Sequence, residues 1–281
     1  MADIEPVPLS PEVKAQRAAS FGGAAAHYER YRPGPPMDAV RWILPSRVHT
    51  AVDLGAGTGA LSRLLVDRAD EVIAVEPDDR MRAVLTEGVP GVRAVAGRAE
   101  SMPLPDATVD AVIASSSWHW VDPEPALHEV GRVLVDGGTV AAVWSGPDRE
   151  SPFMAQAASM LAGGSGEGGG GGGLDLDDDL RDELARAVND PVAIVQALEI
   201  PPGTPFDEPE HTILQWDAPL DAEDLVGLLG TFSWVILMRE EARTRLLEAA
   251  RTALAAMLGT TGATIDVGFR ADVWKARRHD R

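Results

Sequence analysis

The stretch that decides the fold is TAVDLGAGTGALSRLL at residues 50–65, followed by DEVIAVEPDDRM at residues 70–81. In the first stretch an apolar run leads into three alternating glycines, and a helical pattern begins at Ala60. Glycine lets the backbone turn sharply and lets a ligand come close to the main chain. The N–H groups at the start of the following helix then point toward that ligand. The pattern predicts a strand, a ligand-binding turn and a helix.

The second stretch predicts another strand, which ends at Glu76, 21 residues after Gly55. An acidic side chain at this position can accept hydrogen bonds from the ribose hydroxyls of an adenosine. The same geometry fits a dinucleotide-binding domain, because GAGTGA also satisfies the G-x-G-x-x-G/A fingerprint. An NAD(P)-linked oxidoreductase is therefore one alternative.

Two details separate these alternatives. Asp53 lies two residues before Gly55, where dinucleotide-binding folds usually carry an apolar residue. A carboxylate there can attract a cationic ligand and suits an amino-acid-bearing sulfonium better than a pyrophosphate. With Gly59, the stretch reads D-x-G-x-G-x-G, which is typical of S-adenosylmethionine-dependent methyltransferases. We therefore favour a methyltransferase.

Strands alternate with helices of about ten residues around this motif, which is typical of βαβ units and a parallel sheet. Strands are predicted at residues 48–54, 71–76, 92–96, 110–115 and 138–144, and helices at 60–68, 79–87 and 125–134. A later region adds predicted strands at 211–216 and 266–276 and helices at 221–230 and 239–258. The fold class is α/β, with a doubly wound, Rossmann-like sheet.

Composition narrows the range of partners. The 281 residues carry a net charge of −19, which repels phosphate backbones, so we expect no nucleic-acid partner. Most of that charge lies in residues 163–190 and 205–225, and nine of the 28 glycines lie in residues 163–173. The absence of cysteine excludes disulfides and thiolate metal sites. No signal peptide or membrane-spanning run is recognisable, so we expect a cytoplasmic protein.

Several motifs together resemble a known family. VDLGAGTG, AVEPDDRM, GRAESMPLPDATVDAV and GRVLVDGGTVAAVW resemble class I methyltransferases of the type 11 group. FGGAAAHYERYRPGPP and ASSSWHWVD resemble the subgroup of trans-aconitate methyltransferase-like proteins. The resemblance covers residues 20–145 strongly. It implies a seven-stranded, mostly parallel sheet with an antiparallel last strand, S-adenosylmethionine as the cofactor and S-adenosylhomocysteine as its product.

The resemblance also assigns the cofactor-binding residues. Those around the methionyl end are Asp53, Gly55, Ala56, Gly57 and Gly59, and Ser115 follows on the fourth strand. The adenosine would be held by Glu76 and Pro77, by Met81 packed on the adenine, and by Ala99 and Glu100 at its edge. A core position on the second helix is an equal alternative for Met81. No metal site is expected.

The resemblance further implies a division of the chain. Residues 1–47 form an N-terminal lid segment in which Tyr28 and Arg32 contact the cofactor. Arg32 would hold its carboxylate in a charge-assisted pair. Residues 48–145 form the cofactor-binding core. A variable helical cap with a glycine-rich linker at 163–173 occupies residues 146–204, and residues 205–281 complete the sheet.

His119 is the candidate general base, because it follows the fourth strand and is flanked by Trp118 and Trp120. Methyl transfer from a sulfonium mainly needs alignment, and a base only when the acceptor must lose a proton. A packed histidine that only shapes the pocket is the alternative. We expect a small-molecule acceptor, with a non-catalytic cofactor-binding protein as a further alternative; the sequence does not determine the oligomeric state.

Overall fold

The computed structural model describes residue 31 and residues 34–148, 150–151, 197–236, 238–259 and 262–279. Its strands are β1 (Val48–Leu54), β2 (Ala69–Val75), β3 (Arg93–Val95), β4 (Val109–Ser115), β5 (Leu134–Pro147), β6 (Glu210–Leu220) and β7 (Ile265–Arg277). Its helices are α1 (Met37–Ile43), α2 (Ser62–Leu65), α3 (Asp79–Gly88), α4 (Pro123–Val133), α5 (Ala222–Leu229), α6 (Ser233–Ile236) and α7 (Glu240–Leu258).

The strands form one seven-stranded sheet in the order β3-β2-β1-β4-β5-β7-β6. The pairs β2–β3, β1–β2, β1–β4 and β4–β5 are parallel, whereas β7 is antiparallel to both β5 and β6. This order confirms the predicted doubly wound α/β fold, including the antiparallel last strand.

The core lies on both faces of this sheet, because the central strands are apolar on both sides. On one face Val52, Val112 and Val140 pack against Leu127 and Val130 of α4. On the other face the apolar side chains of α1 and α2 meet alternate residues of the same strands, among them Ala51, Ile113 and Ala141. The sheet therefore holds its strand ends in fixed positions between two helical layers.

The helices near the site begin at acidic caps. Asp78 precedes α3 and its carboxylate accepts from the backbone N–H groups of Arg80 at 2.8 Å and Met81 at 3.3 Å. Asp221 precedes α5 in a reciprocal capping box with Asp224. Such caps satisfy N–H groups that the first turn leaves without intrahelical partners.

The structure differs from the predicted elements in several places. The helix predicted at 60–68 is reduced to Ser62–Leu65, and the helix predicted at 125–134 gives way to β5 at Leu134, where a register shift interrupts the ladder with β4. Helix α1 was not predicted, because its prolines dominate the local pattern; burial of Ala39, Val40 and Ile43 stabilises it. In the described residues no helix is long and apolar enough to cross a bilayer.

Candidate active site

The carboxyl ends of the parallel strands meet at one edge of the sheet. β1 ends at Leu54 just before Gly55, β2 ends at Val75 just before Glu76, and β4 ends at Ser115. β1 and β4 are neighbours in the sheet, and the strands that follow each of them are added outward in opposite directions. In open α/β sheets ligands bind outside the carboxyl ends of the strands at this switch point.

The glycine turn after β1 has left-handed backbone at all three glycines. The φ angles of Gly55, Gly57 and Gly59 are +66°, +55° and +92°. A Cβ at Gly55 would lie 2.6 Å from the Cβ of Ser117, and one at Gly59 would lie 2.9 Å from Val89 Cγ2. A Cβ at Gly57 would meet nothing within 4 Å. The main chain of Gly57 is therefore open to a ligand, while its neighbours are packed by protein.

Glu76 ties this turn to the start of α3. Its Oε2 accepts from the N–H of Gly57 and its Oε1 accepts from the N–H of Asp78, both at 2.9 Å. Burial raises the pKa of the Glu76 carboxyl above its usual value, and the two backbone donors oppose that rise. Each carboxylate oxygen can accept a further hydrogen bond, which is what the two hydroxyls of a ribose require.

Asp53 is buried beneath the turn, where its Oδ2 accepts from the hydroxyl of Ser62 at 2.6 Å. Burial raises its pKa to about 7, opposed by the hydrogen bonds from Ser62 and reinforced by the nearby Glu76. The carboxylate thus fastens α2 to the end of β1. The sequence pattern did not indicate that Ser62 would contact Asp53. A direct attraction between Asp53 and a cationic ligand stays a prediction.

The residues predicted to hold the adenine lie beyond Glu76. Met81 is buried on α3, whereas Pro77 is exposed at the rim. Ala99 is buried in the core on the α4 side of the sheet. Glu100 Oε1 accepts from the N–H of Asp122 at 3.2 Å, which ties the loop after β3 to the start of α4.

The loop after β4 supplies contacts that sequence reasoning missed. Ser115 ends the strand, but Ser117 is the residue that reaches the glycine turn: its hydroxyl donates to the carbonyl of Leu54 at 2.6 Å. Ser116 has a φ of +52°, and its N–H donates to the carbonyl of Val143 at 2.7 Å. The loop is therefore fixed to β1 and β5 together.

His119 lies in a 3-10 turn, Trp118–Trp120, that follows this loop. Its Nδ1 lies 3.2 Å from Trp144 Nε1, which donates to it, and its ring centroid lies 4.4 Å from that of Trp120. Trp118 is buried, so it belongs to the core. Because Nδ1 accepts, the neutral imidazole carries its proton on Nε2.

Comparison with known proteins identifies the family. Residues 52–142 match the family model of the methyltransferase domain. An uncharacterised methyltransferase of Mycobacterium tuberculosis is 34% identical over 236 residues, which cover 84% of this chain and 86% of that protein. This chain belongs to the methyltransferase family.

Two further proteins are similar to this chain, one over most of its length and one over about half of it. A solved structure from Anaeromyxobacter dehalogenans, assigned as a type II methyltransferase, has a TM-score of 0.64 and 26% identity over 89% of this chain and 100% of that one. A malonyl-[acyl-carrier protein] O-methyltransferase of Methylococcus capsulatus is 34% identical over 151 residues, covering 50% of this chain and 54% of that protein. The class I methyltransferase resemblance is confirmed, and the trans-aconitate-like assignment stays a prediction.

Some of the predicted site of the methyltransferase lies outside the described residues: Tyr28, Arg32 and the glycine-rich tract at 163–173. Tyr31 is described, and its ring fills the space beside Gly227 of α5, 2.2 Å from where a Cβ would stand.

Within the described ranges no group of three or more histidine, aspartate or glutamate side chains could hold a metal ion.

Proposed function

We propose that this methyltransferase transfers the methyl group of S-adenosylmethionine to a small-molecule acceptor and releases S-adenosylhomocysteine. The observation that carries the proposal is the pairing of the open Gly57 main chain with the Glu76 carboxylate. One ligand can pass over the first and bond to the second. The residues proposed to hold it are Asp53, Gly55, Ala56, Gly57, Gly59, Glu76, Pro77, Met81, Ala99, Glu100 and Ser115, with Tyr28 and Arg32 from the N-terminal segment.

The residues present fit this cofactor better than a dinucleotide. The buried Asp53 leaves a carboxyl group under the turn that would have to receive a pyrophosphate, and a second carboxyl, Glu76, lies within range of its charge. Two carboxyl groups disfavour a dianion and favour a cation. When bound, the cofactor supplies a positively charged methylsulfonium whose leaving group is neutral.

The chain itself supplies alignment of the reacting groups. Ser117 and Ser116 lock the loop after β4 against β1 and β5, which fixes the backbone beside the proposed methyl donor. Such positioning is the main source of rate in an in-line displacement.

The hydrogen bond from Trp144 bears on the proposed role of His119. With Nδ1 accepting from Trp144, the neutral ring carries its proton on Nε2, and the Nδ1 lone pair is engaged. This tautomer supports a role in orienting the acceptor by donating to it. A role as general base would require the Trp144 bond to break.

A small-molecule acceptor is supported by charge. The net charge of −19 disfavours a nucleic-acid acceptor, because phosphate backbones are repelled by it. The Methylococcus relative, whose name specifies an acyl-carrier-protein substrate, matches only about half of this chain.

Titration calorimetry tests the cofactor assignment. We expect S-adenosylmethionine and S-adenosylhomocysteine to bind with one-to-one stoichiometry and NAD and NADP to produce no heat of binding. Binding of a nicotinamide dinucleotide, with none of S-adenosylhomocysteine, would establish the oxidoreductase alternative.

Turnover requires a second experiment. The protein is incubated with cofactor labelled on the methyl group and a metabolite extract, and the labelled product is identified by mass. Formation of S-adenosylhomocysteine together with a labelled small molecule is expected. Cofactor binding with no labelled product would favour the non-catalytic alternative.

A further inference from the structure

An arginine–aspartate pair on β7 lies beside Trp144, the hydrogen-bond partner of His119. In the ladder between β5 and β7, Asp272 pairs with Trp144 and Arg270 pairs with Gly146, at the carboxyl end of β5. Both charged side chains project from the same face of β7, because they are two residues apart on one strand. β7 is the second strand from β4, so this pair stands about 10 Å to the side of the β4 loop.

The pair is bidentate and leaves one edge of the guanidinium open. Arg270 Nε donates to Asp272 Oδ2 and Nη2 donates to Oδ1, each at 2.9 Å. The Asp272 side chain is 10% exposed, whereas that of Arg270 is 35% exposed. Across the residues that the structure describes, Nη1 makes no hydrogen bond. Two N–H donors are therefore available to a ligand on the open side.

Apolar side chains adjoin the pair on the same face. Trp144, the cross-strand neighbour of Asp272, is buried and reaches toward the proposed active site by donating to His119. Ile213 of β6 pairs with Asp272 from the other side and is 45% exposed, which is unusual for a large hydrophobic side chain among the described residues. A ligand with an aromatic or aliphatic body and one polar end matches this arrangement.

The charges near Arg270 determine which polar group of a ligand can bind there. Asp272 neutralises the guanidinium, and His211 lies 3.3 Å from the same carboxylate. Asp148 and Glu150 add negative charge that acts on Arg270, and Gln215 donates to Asp148 Oδ2 at 2.8 Å. An anionic group would meet a neutral ion pair surrounded by carboxylates, whereas a neutral oxygen would need only the free donors.

We propose that Arg270 is the acceptor-positioning residue and that Asp272 makes it select an uncharged oxygen, such as an amide or hydroxyl, over a carboxylate. This inference rests on the proposed function, since it places the methyl acceptor at the β4–β5 edge. Asp272 acts through Arg270 and sets the charge that the acceptor meets.

Three probes that share one phenylalkyl body test this selection: phenylpropanamide, phenylpropanoate and phenylpropylamine. Each is titrated into protein saturated with S-adenosylhomocysteine, using wild type, Arg270→Gln, Asp272→Asn and the double variant. Glu223→Gln is the matched control, because Glu223 holds Arg251 in a similar bidentate pair between α5 and α7.

We expect wild type to bind the amide about fivefold more tightly than the carboxylate. Asp272→Asn should bind the carboxylate about tenfold more tightly than wild type does, because the guanidinium regains its charge, and the double variant should lose that gain. Arg270→Gln should weaken the amide about fivefold and leave the amine unchanged. Glu223→Gln should match wild type.

An unchanged carboxylate affinity in Asp272→Asn would overturn the proposal, as would binding of none of the probes to wild type. Should Asp272→Asn fail to fold, the amide affinity of Arg270→Gln decides. Affinity for S-adenosylhomocysteine is measured separately in every variant. Its absence in wild type would be a failure of the proposed function, whereas normal cofactor binding with unaltered probe selectivity would be a failure of this inference alone.

Discussion

Both carboxylate oxygens of Glu76 accept backbone N–H groups, one from each side of the proposed ribose site. The side chain therefore shapes the turn, and in the proposed complex it would also bind the ribose. Its removal would affect both functions, because a buried N–H that loses a charged acceptor is left unsatisfied.

Glu76→Gln should lower the affinity for S-adenosylhomocysteine by about 10- to 100-fold, measured by calorimetry. The glutamine amide directs N–H groups at Gly57 or Asp78, which also donate, so the variant is not conservative. Glu71→Gln is the control, because Glu71 lies on the same strand in an exposed pair with Arg93. Equal affinities for the two variants would show that the ribose is held elsewhere.

Asp53 gives the stability of the protein a specific pH dependence. Its pKa rises from 3.8 to about 7 on folding, so the folded chain binds more protons than the unfolded chain between these values. The free energy of unfolding contributed by Asp53 is therefore greatest below pH 3.8 and decreases as the pH rises to about 7.

Asp53→Asn should abolish this contribution, because asparagine keeps an oxygen acceptor for Ser62 without the charge. Urea denaturation at pH 5 and pH 8 should show the variant gaining about 2–3 kcal/mol of stability over wild type as the pH rises, because about two of the pKa units gained on folding lie in this interval. A difference that does not change with pH would contradict the assignment.

At the scale of elements, the glycines of the turn between β1 and α2 differ in their surroundings: Gly55 and Gly59 are packed against protein, whereas Gly57 is open to the proposed ligand. All three glycines have positive φ, but only the Cβ position of Gly57 is empty. A substitution there strains the backbone without a collision, whereas one at Gly59 drives a methyl group into Val89 and Leu85 of the α3 region.

Gly57→Ala should cost only about 1 kcal/mol of stability yet abolish cofactor binding, whereas Gly59→Ala should cost about 2–4 kcal/mol. Thermal denaturation and calorimetry with S-adenosylhomocysteine measure the two effects. Gly91→Ala is the control for strain, because Gly91 has a φ of +87° and an empty Cβ position away from the site. It should match Gly57→Ala in stability and bind cofactor normally; normal binding by Gly57→Ala would refute the open-turn argument.

At the scale of the whole molecule, β7 joins β6 to the rest of the sheet, because it lies between β5 and β6 and pairs with both. Arg278 fastens the end of β7: its side chain is buried, its Nη1 donates to the carbonyl of Leu134 at 2.6 Å, and it pairs with Asp136 at 2.9 Å. These contacts join residues more than 140 positions apart in the chain.

Arg278→Ala should lower the free energy of unfolding by about 2–4 kcal/mol, since it removes buried packing and charge-assisted hydrogen bonds together. The adjacent Arg277→Ala is the control; Arg277 is exposed and makes one bond of 3.4 Å, so a change within about 0.5 kcal/mol is expected. Chemical denaturation measures both. Equal losses would mean that Arg278 does not fasten the strand.

The parts of the fold and of the candidate site that could be predicted from the sequence are those that depend on residues close together in the chain. The strand–glycine–helix pattern at residues 50–65 and the acidic end of β2 depend on neighbouring residues, and they determined the fold class and the family. Helix α1 could not be found in this way, because burial of its apolar side chains outweighs the prolines that precede it.

The sequence by itself determined the α/β alternation, the glycine turn and the position of Glu76, since each follows from short-range backbone preferences and hydrophobic periodicity. Only the tertiary structure decided that Ser117 closes on β1, that Trp144 donates to His119, and that Asp272 stands beside Trp144. The physical reason is that parallel strands joined by crossovers, and a last strand inserted antiparallel, bring together residues widely separated in the chain. No local pattern encodes those contacts.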